Sequence, residues 1–332
     1  MLIEPSDIED AARRIRRWLS PTPIIRSRHL SEKLGANVYL KLETLQPTHS
    51  FKVRGAFNAL ERLDADARPR GVITASGGNH GLAVAFAAKS LSMPATVYLP
   101  EKTTRVRIDA IEHFGARVVL HGAAWDDAHA RALREAAKKK IAYIHPFDNG
   151  DVMAGQGTIV SELVEQLPNI HLLLASIGGG GLLSGMLSAV KAFTPQTRVI
   201  GVETEGADCM YRSWKAGHIV ELEKITSIAE TLGARKTETR QFDIISKHVC
   251  ELVTVSDDQA IRALLELLGE EKLLTEPASA CSVAALLEKK AKVRAGENVV
   301  IVLCGANIAI DRVGQWAIEH TGRRLQKPES TV

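Results

Sequence analysis

The sequence predicts an α/β protein of two domains, each an open, mostly parallel, twisted sheet flanked by helices. Three observations predict it. Between Gly71 and Ile144, short apolar runs alternate with helix-like runs. Such alternation with short connections calls for right-handed crossovers and parallel strands. The same rhythm resumes at His171 and continues to Cys304. At 332 residues the chain is also long enough for two ordinary domains. Residues 53–142 read as one compact unit, and 1–52 with 143–332 as the larger one.

In chain order, Ser6 to Leu19 is predicted helical. Ile8, Ala11, Ala12, Ile15 and Leu19 recur at helical spacing, and Ser6 with Glu9 has the spacing of a capping box. Pro21-Thr22-Pro23 ends it. Val38 to Glu43 alternates like a strand and delivers the chain to a polar loop, Thr44 to His49. A helix is expected from Lys52 to Leu63. Strands are then expected at 71–75, 95–99, 117–120 and 141–144, with helices at 79–91, 103–114 and 125–138. Further on, helices are expected at 151–167 and 182–193, with strands at 171–177 and 198–203. Gly206 to Phe242 is polar and irregular, in part a loop over the site. After a strand at 249–255, Ser256 and Gln259 repeat the capping-box spacing before a helix to about Leu268. Pro277 fits the first turn of a helix that runs to Lys290. A strand at 298–304 then leads into a last helix through Trp316.

Composition narrows the function. A net charge of +3, with basic residues scattered and not interleaved with aromatics, gives no footprint for nucleic acid. The four cysteines include no C-x-x-C pair, which argues against a zinc or disulfide framework and fits a reducing cytoplasm. No apolar run reaches membrane-spanning length, and the first ten residues lack a secretory core.

Three loop-to-helix junctions carry candidate chemistry. Lys52 stands at a helix N-terminus, where the dipole disfavours an added positive charge. A neutral amine there can attack a carbonyl and form a Schiff base; the alternative is a solvated first-turn lysine. Gly178-Gly179-Gly180-Gly181 lies between a strand and a helix, so its backbone N–H groups are open to an anion. Glycine costs roughly 0.5–1 kcal/mol per residue in regular structure, so four in a row favour a phosphate site over a simple turn. Glu203 follows at a distance that suits a dinucleotide site. The third glycine of that fingerprint is missing, because the position falls on Leu183 or Ser184. In Ser76-Gly77-Gly78-Asn79-His80-Gly81, the amides and the Ser76 hydroxyl suit a carboxylate, and Asn79 can donate a hydrogen bond. The plainer role of Ser76 is a helix cap, and that of His80 is structural. Cys304, ending an apolar strand, reads by itself as a buried structural cysteine.

Together these motifs resemble fold type II pyridoxal-phosphate enzymes, the tryptophan synthase β-like fold. The likeness is strongest to the serine/threonine dehydratase and serine racemase group. The resemblance is carried by Ser50-Phe51-Lys52-Val53-Arg54-Gly55-Ala56, the Ser76–Gly81 turn, His145-Pro146-Phe147-Asp148, Ala154-Gly155-Gln156-Gly157-Thr158, Gly178 to Leu182, Glu276-Pro277 and Cys304-Gly305-Ala306-Asn307. It implies pyridoxal 5'-phosphate as cofactor and Lys52 as Schiff-base lysine and Cα base. Phe51 would flank the pyridine ring, and Asn79 would bond its phenolic oxygen. Gly178, Gly179, Gly180, Gly181 and the Leu182 amide would hold the phosphate, and Cys304 would face the ring nitrogen. Ser76, Gly77 and His80 would border the substrate carboxylate, and Glu276 would lie near the ring. The larger domain would bind cofactor and residues 53–142 substrate.

The implied reaction is elimination of the β-hydroxyl of a threonine- or serine-like amino acid, giving a 2-keto acid and ammonia. Racemisation and β-replacement are the alternatives on this cofactor, and an NAD dehydrogenase or a non-catalytic binding protein the alternatives outside it. Gly77 stands where racemases of the group carry a second serine, which favours dehydration. Ala229-Glu230-Thr231-Leu232 replaces the Ala-Asp-Gly-Val of most dehydratases, which leaves room for a specialised substrate such as hydroxyaspartate or phenylserine. A divalent-cation site would map to Glu203 and the Ala207 carbonyl, but Cys209 replaces its acid. The group implies a cytoplasmic homodimer or homotetramer acting on a small amino acid. The short remainder after Cys304 implies no regulatory domain and no end-product feedback.

Overall fold

The computed structural model describes residues 1–325; residues 326–332, the end of the predicted larger unit, lie outside the described residues. Two sheets organise the chain. The six-stranded sheet contains β1 (Ile24–Arg26), β2 (Asn37–Leu42), β7 (Leu172–Ser176), β8 (Arg198–Thr204), β9 (Glu251–Val255) and β10 (Asn298–Leu303), in the order β1-β2-β10-β7-β8-β9. Only the β1–β2 pair is antiparallel. The four-stranded sheet contains β3 (Val72–Ala75), β4 (Ala95–Leu99), β5 (Arg117–Leu120) and β6 (Ala142–Tyr143), in the order β5-β4-β3-β6, all parallel. Central strands are buried on both faces: β7 reads Leu-Leu-Leu-Ala-Ser and is buried throughout, as is β3.

Helices α1 (Pro5–Ile15), α2 (Arg28–Leu34) and α3 (Lys52–Glu61) precede the smaller sheet, whose strands are linked by α4 (Asn79–Ser90), α5 (Arg105–His113) and α6 (Trp125–Lys139). Helices α7 (Gly150–Gln166), α8 (Gly181–Phe193), α9 (Cys209–Ala216), α10 (Thr239–His248), α11 (Asp257–Glu266), α12 (Pro277–Leu287) and α13 (Ile310–Leu325) follow. α3 and α7 cross at a glycine–glycine contact, where a Cβ on Gly155 would come within 2.6 Å of the Gly55 Cα. That approach explains a glycine in each of the two motifs.

Several expectations need correction. Ser6 caps nothing: α1 starts at Pro5, whose fixed φ suits the first turn, and Glu4 is the N-cap without a side-chain bond. Ser76 is not the cap of α4 either, because the N-cap is Gly78. The irregular stretch 206–242 holds α9 and the start of α10. β1 and α2 escaped prediction, although Ser27 caps α2 through Leu30 N–H. The Ser256–Gln259 capping box forms as expected.

A buried ion network ties the start of α3 to its surroundings. Arg54, with no exposed surface, donates to Glu43 at 2.7 and 2.8 Å and to Glu162 at 2.6 and 2.8 Å. Lys41, on β2, donates to Glu162, Gln166 and the Thr22 carbonyl. The guanidinium fork meets two carboxylates in paired contacts, the geometry in which a buried charge is best compensated.

Candidate active site

A cavity of about 290 Å³ opens where β3, β7 and β10 end and α3 begins. Open parallel sheets bind ligands beyond these carboxyl ends. The cavity gathers every residue predicted for the cofactor and substrate, whereas Glu203 and Ala207 lie elsewhere.

Lys52 is the first residue of α3, and its Nζ donates to the Pro146 carbonyl at 2.7 Å. Burial lowers its pKa to about 8, against the opposing pull of Cys304 and Glu276. Its nitrogen lies 5.1 Å from the Phe51 ring centre. The Lys52 loop is stitched to the strand end that carries Cys304. Phe51 N–H donates to the Cys304 carbonyl at 3.0 Å, and Ala306 N–H to the His49 carbonyl at 2.9 Å.

The glycine loop leads into α8 with Gly180 at φ 94°, a left-handed conformation that a side chain would strain. A Cβ on Gly179 would sit 2.3 Å from the Phe147 ring. Close packing thus accounts for part of the glycine run. The amides of Gly178 to Leu182 donate to no acceptor among the described residues. Open amides at a helix N-terminus form a cradle for a phosphate.

Asn79 is held from both ends. Its Nδ2 donates to Glu276 Oε1 at 2.9 Å, and its Oδ1 accepts from Asn307 Nδ2 at 2.7 Å. One N–H remains for a ligand oxygen. Thr231 Oγ1 donates to the same Glu276 oxygen at 3.0 Å. Burial pushes the Glu276 pKa up to about 7.

Cys304 Sγ lies 3.2 Å from Ser176 Oγ and accepts from Ser279 Oγ at 3.5 Å. Burial pushes its pKa up to about 11, so the thiol is neutral. Ser76 Oγ accepts from Gly78 N–H at 3.3 Å. His80 lines the cavity, yet its Nε2–H is committed to the Ile144 carbonyl at 3.1 Å. Burial holds that ring neutral, so its buried Nδ1 is an acceptor with no partner among the described residues. At the mouth, Arg107 pairs with Glu230 at 2.5 Å and Arg235 with Asp126 at 2.9 Å.

The mapped cation position has another use. Both Glu203 oxygens accept backbone N–H groups at the start of α9, from Met210 at 3.1 Å and Tyr211 at 2.6 Å. Among the described residues no group of three or more His, Cys, Asp or Glu is placed to hold a metal. Sequence reasoning did not assign roles to Asn307, Ser176, Ser279 or the Pro146 carbonyl. Only Asn307 and Pro146 stood inside quoted motifs.

An amine of lowered proton affinity, a phosphate cradle and a neutral thiol around one cavity fit an enzyme whose cofactor combines an aldehyde, a phosphate and a ring nitrogen. The profile of the pyridoxal-phosphate dependent enzymes matches residues 15–305. The chain is 38% identical to an L-threonine ammonia-lyase of Thermotoga maritima, over 98% of this chain and 81% of that protein. It is 35% identical to an L-threo-3-hydroxyaspartate ammonia-lyase of Saccharomyces cerevisiae, over 92% and 94% respectively. Maize serine racemase superposes with a TM-score of 0.90 at 28% identity, over 98% of this chain and 100% of that one. The chain belongs to the pyridoxal-phosphate dependent enzyme family.

Proposed function

We propose that this chain is an ammonia-lyase that eliminates the β-hydroxyl of a hydroxy amino acid and releases a 2-keto acid and ammonia. The observation that carries the reading is the pairing of Lys52 with a neutral Cys304 thiol in one cavity. When bound, pyridoxal phosphate supplies the electron sink that makes an amino acid's Cα proton removable. Lys52 would provide the amine that holds the cofactor's aldehyde and, when free, the base for the substrate's Cα proton. The open amides from Gly178 to Leu182 would hold the phosphate, and Phe51 would lie beside the ring. The free N–H of Asn79 is offered to the phenolic oxygen. A neutral thiol does not hold a pyridine nitrogen protonated, which weakens the sink and favours prompt loss of a β-leaving group. Ser76 and Gly77 border the substrate carboxylate, with His80 behind them as a fixed wall. Gly77 has no side chain, which leaves Lys52 as the base and disfavours two-base racemisation.

The likeness to threonine and hydroxyaspartate ammonia-lyases supports a β-hydroxy amino acid substrate. Residues 53–142 serve as the substrate-binding unit, and the rest as the cofactor-binding one. The resemblance supports a cytoplasmic homodimer or homotetramer; among the described residues no helix is long and apolar enough to cross a membrane. A keto-acid release screen over threonine, serine, hydroxyaspartate and phenylserine tests the function. Release from at least one, lost in Lys52→Ala, is expected. A racemised pool without keto acid overturns it.

A further inference from the structure

Glu276 is a buried carboxyl that holds the Asn79 amide and has no assigned part in the chemistry. It is the N-cap of α12, next to Pro277, and is 3% exposed. Oε1 accepts from Asn79 and Thr231, while Oε2 is buried without a side-chain partner and the Asn307 backbone N–H faces the carboxyl. Arg107 on α5, Lys52 on α3 and Cys304 after β10 face it without a hydrogen bond to it. Burial favours the protonated acid, and a protonated carboxyl is a hydrogen-bond donor. Thr231 connects that acid to the reaction space, because both residues line the cavity beside Ser76, Gly77 and Lys52.

We propose that Glu276, acting through the Thr231 hydroxyl, delivers the proton with which the departing β-hydroxyl leaves as water. The inference rests on the β-elimination reading given above. In this step the Cβ–O bond breaks and its electron pair goes to oxygen. The Thr231 hydroxyl, a donor to Oε1 at rest, turns its proton toward that oxygen and gives it up, and Oγ1 takes the Glu276 proton from Oε1 across the same 3.0 Å separation. The electron pair of the Cα–H bond, whose proton Lys52 has taken, forms the Cα–Cβ double bond. Glu276 ends as carboxylate and Lys52 as ammonium. One proton returned from Lys52 to Glu276, directly or through solvent, resets both. Asn79 stays hydrogen-bonded to Oε1 throughout, since a protonated carboxyl oxygen keeps an accepting lone pair.

The test compares leaving groups on the holoenzyme. L-Serine or L-threonine needs a proton for its hydroxyl to leave, whereas β-chloro-L-alanine loses chloride without one. For Thr231→Val and Glu276→Gln, the ratio of kcat on the hydroxy substrate to kcat on the chloro one should fall about 100-fold or more. Thr231→Ser should restore hydroxy turnover. Solvent deuterium should slow the hydroxy reaction but not the chloro reaction. Apart from turnover, the infrared spectrum of the apoprotein should show a neutral carboxyl band that titrates near pH 7. That band should vanish in Glu276→Gln. Equal losses on both leaving groups overturn the relay and leave β-elimination standing. Keto acid from the chloro substrate alone, in the unmodified enzyme, overturns both. If Glu276→Gln fails to fold, Thr231→Val with the two substrates decides.

Discussion

Asn307 Nδ2 donates to Asn79 Oδ1 across 2.7 Å and also to the Thr48 carbonyl at 2.8 Å. The pair fixes the Asn79 amide: its oxygen is taken, one N–H is held by Glu276, and the other is directed elsewhere. Asn307→Ala removes the lock and lets the amide turn over. A lost hydrogen bond of about 1 kcal/mol corresponds to roughly a fivefold weaker cofactor affinity. Visible absorbance during cofactor titration of the apoprotein measures it. An unchanged affinity would show that Glu276 alone orients Asn79.

Lys52 and Glu276 give apoprotein stability opposite slopes with pH. Burial lowers Lys52 to about 8 from its ordinary 10.5, so between these values the unfolded chain binds more protons and stability rises with pH. Burial raises Glu276 to about 7 from its ordinary 4.5, so across that window the folded chain binds more protons and stability falls as pH rises. Either slope is at most about 1.4 kcal/mol per pH unit. Urea denaturation across pH should show Lys52→Met flattening the alkaline rise and Glu276→Gln flattening the fall. The rate of cofactor capture should rise with pH around 8, following the neutral amine.

The strand–helix alternation was legible because each strand of the smaller sheet is a short apolar run and each linking helix begins soon after it. The strand at Arg117–Leu120 falls on the expected residues. β1 was hidden because three residues carry no period, and its identity depends on pairing with β2. α9 was hidden because its N-terminus is organised by Glu203, a residue on another element. In the site, motif-borne residues such as Lys52, Asn79 and Gly178 could be singled out one by one. The Thr231–Glu276 and Asn307–Asn79 contacts could not, since only folding brings residues 45 and 228 positions apart together.

Gly179→Ala should damage cofactor binding through Phe147. The added Cβ would lie 2.3 Å from that ring, and Gln241 holds the Phe147 carbonyl at 2.9 Å, so the ring has little room to retreat. Overpacking of this kind costs about 1–3 kcal/mol. The apoprotein should lose stability, and the phosphate cradle should lose affinity for inorganic phosphate. Adding Phe147→Ala should recover part of the phosphate affinity. No recovery in the double variant would place the defect in the loop backbone itself.

Arg54→Met tests whether the network beneath Lys52 supports the fold. The change keeps an apolar stem but leaves Glu43 facing Glu162 and Lys41 with two guanidinium contacts gone from each carboxylate. Breaking a buried ion network from one side costs about 3–5 kcal/mol, because the remaining charges stay desolvated. Arg54→Lys should fall between, since an ammonium keeps the charge but cannot make the fork. Combining Arg54→Met with Glu43→Gln should return part of the loss by removing one stranded charge. Chemical denaturation of the apoprotein measures all three. A loss below about 1 kcal/mol for Arg54→Met would mean that water or Lys41 compensates the carboxylates, and that packing, including the Gly55–Gly155 crossing, holds α3 in place.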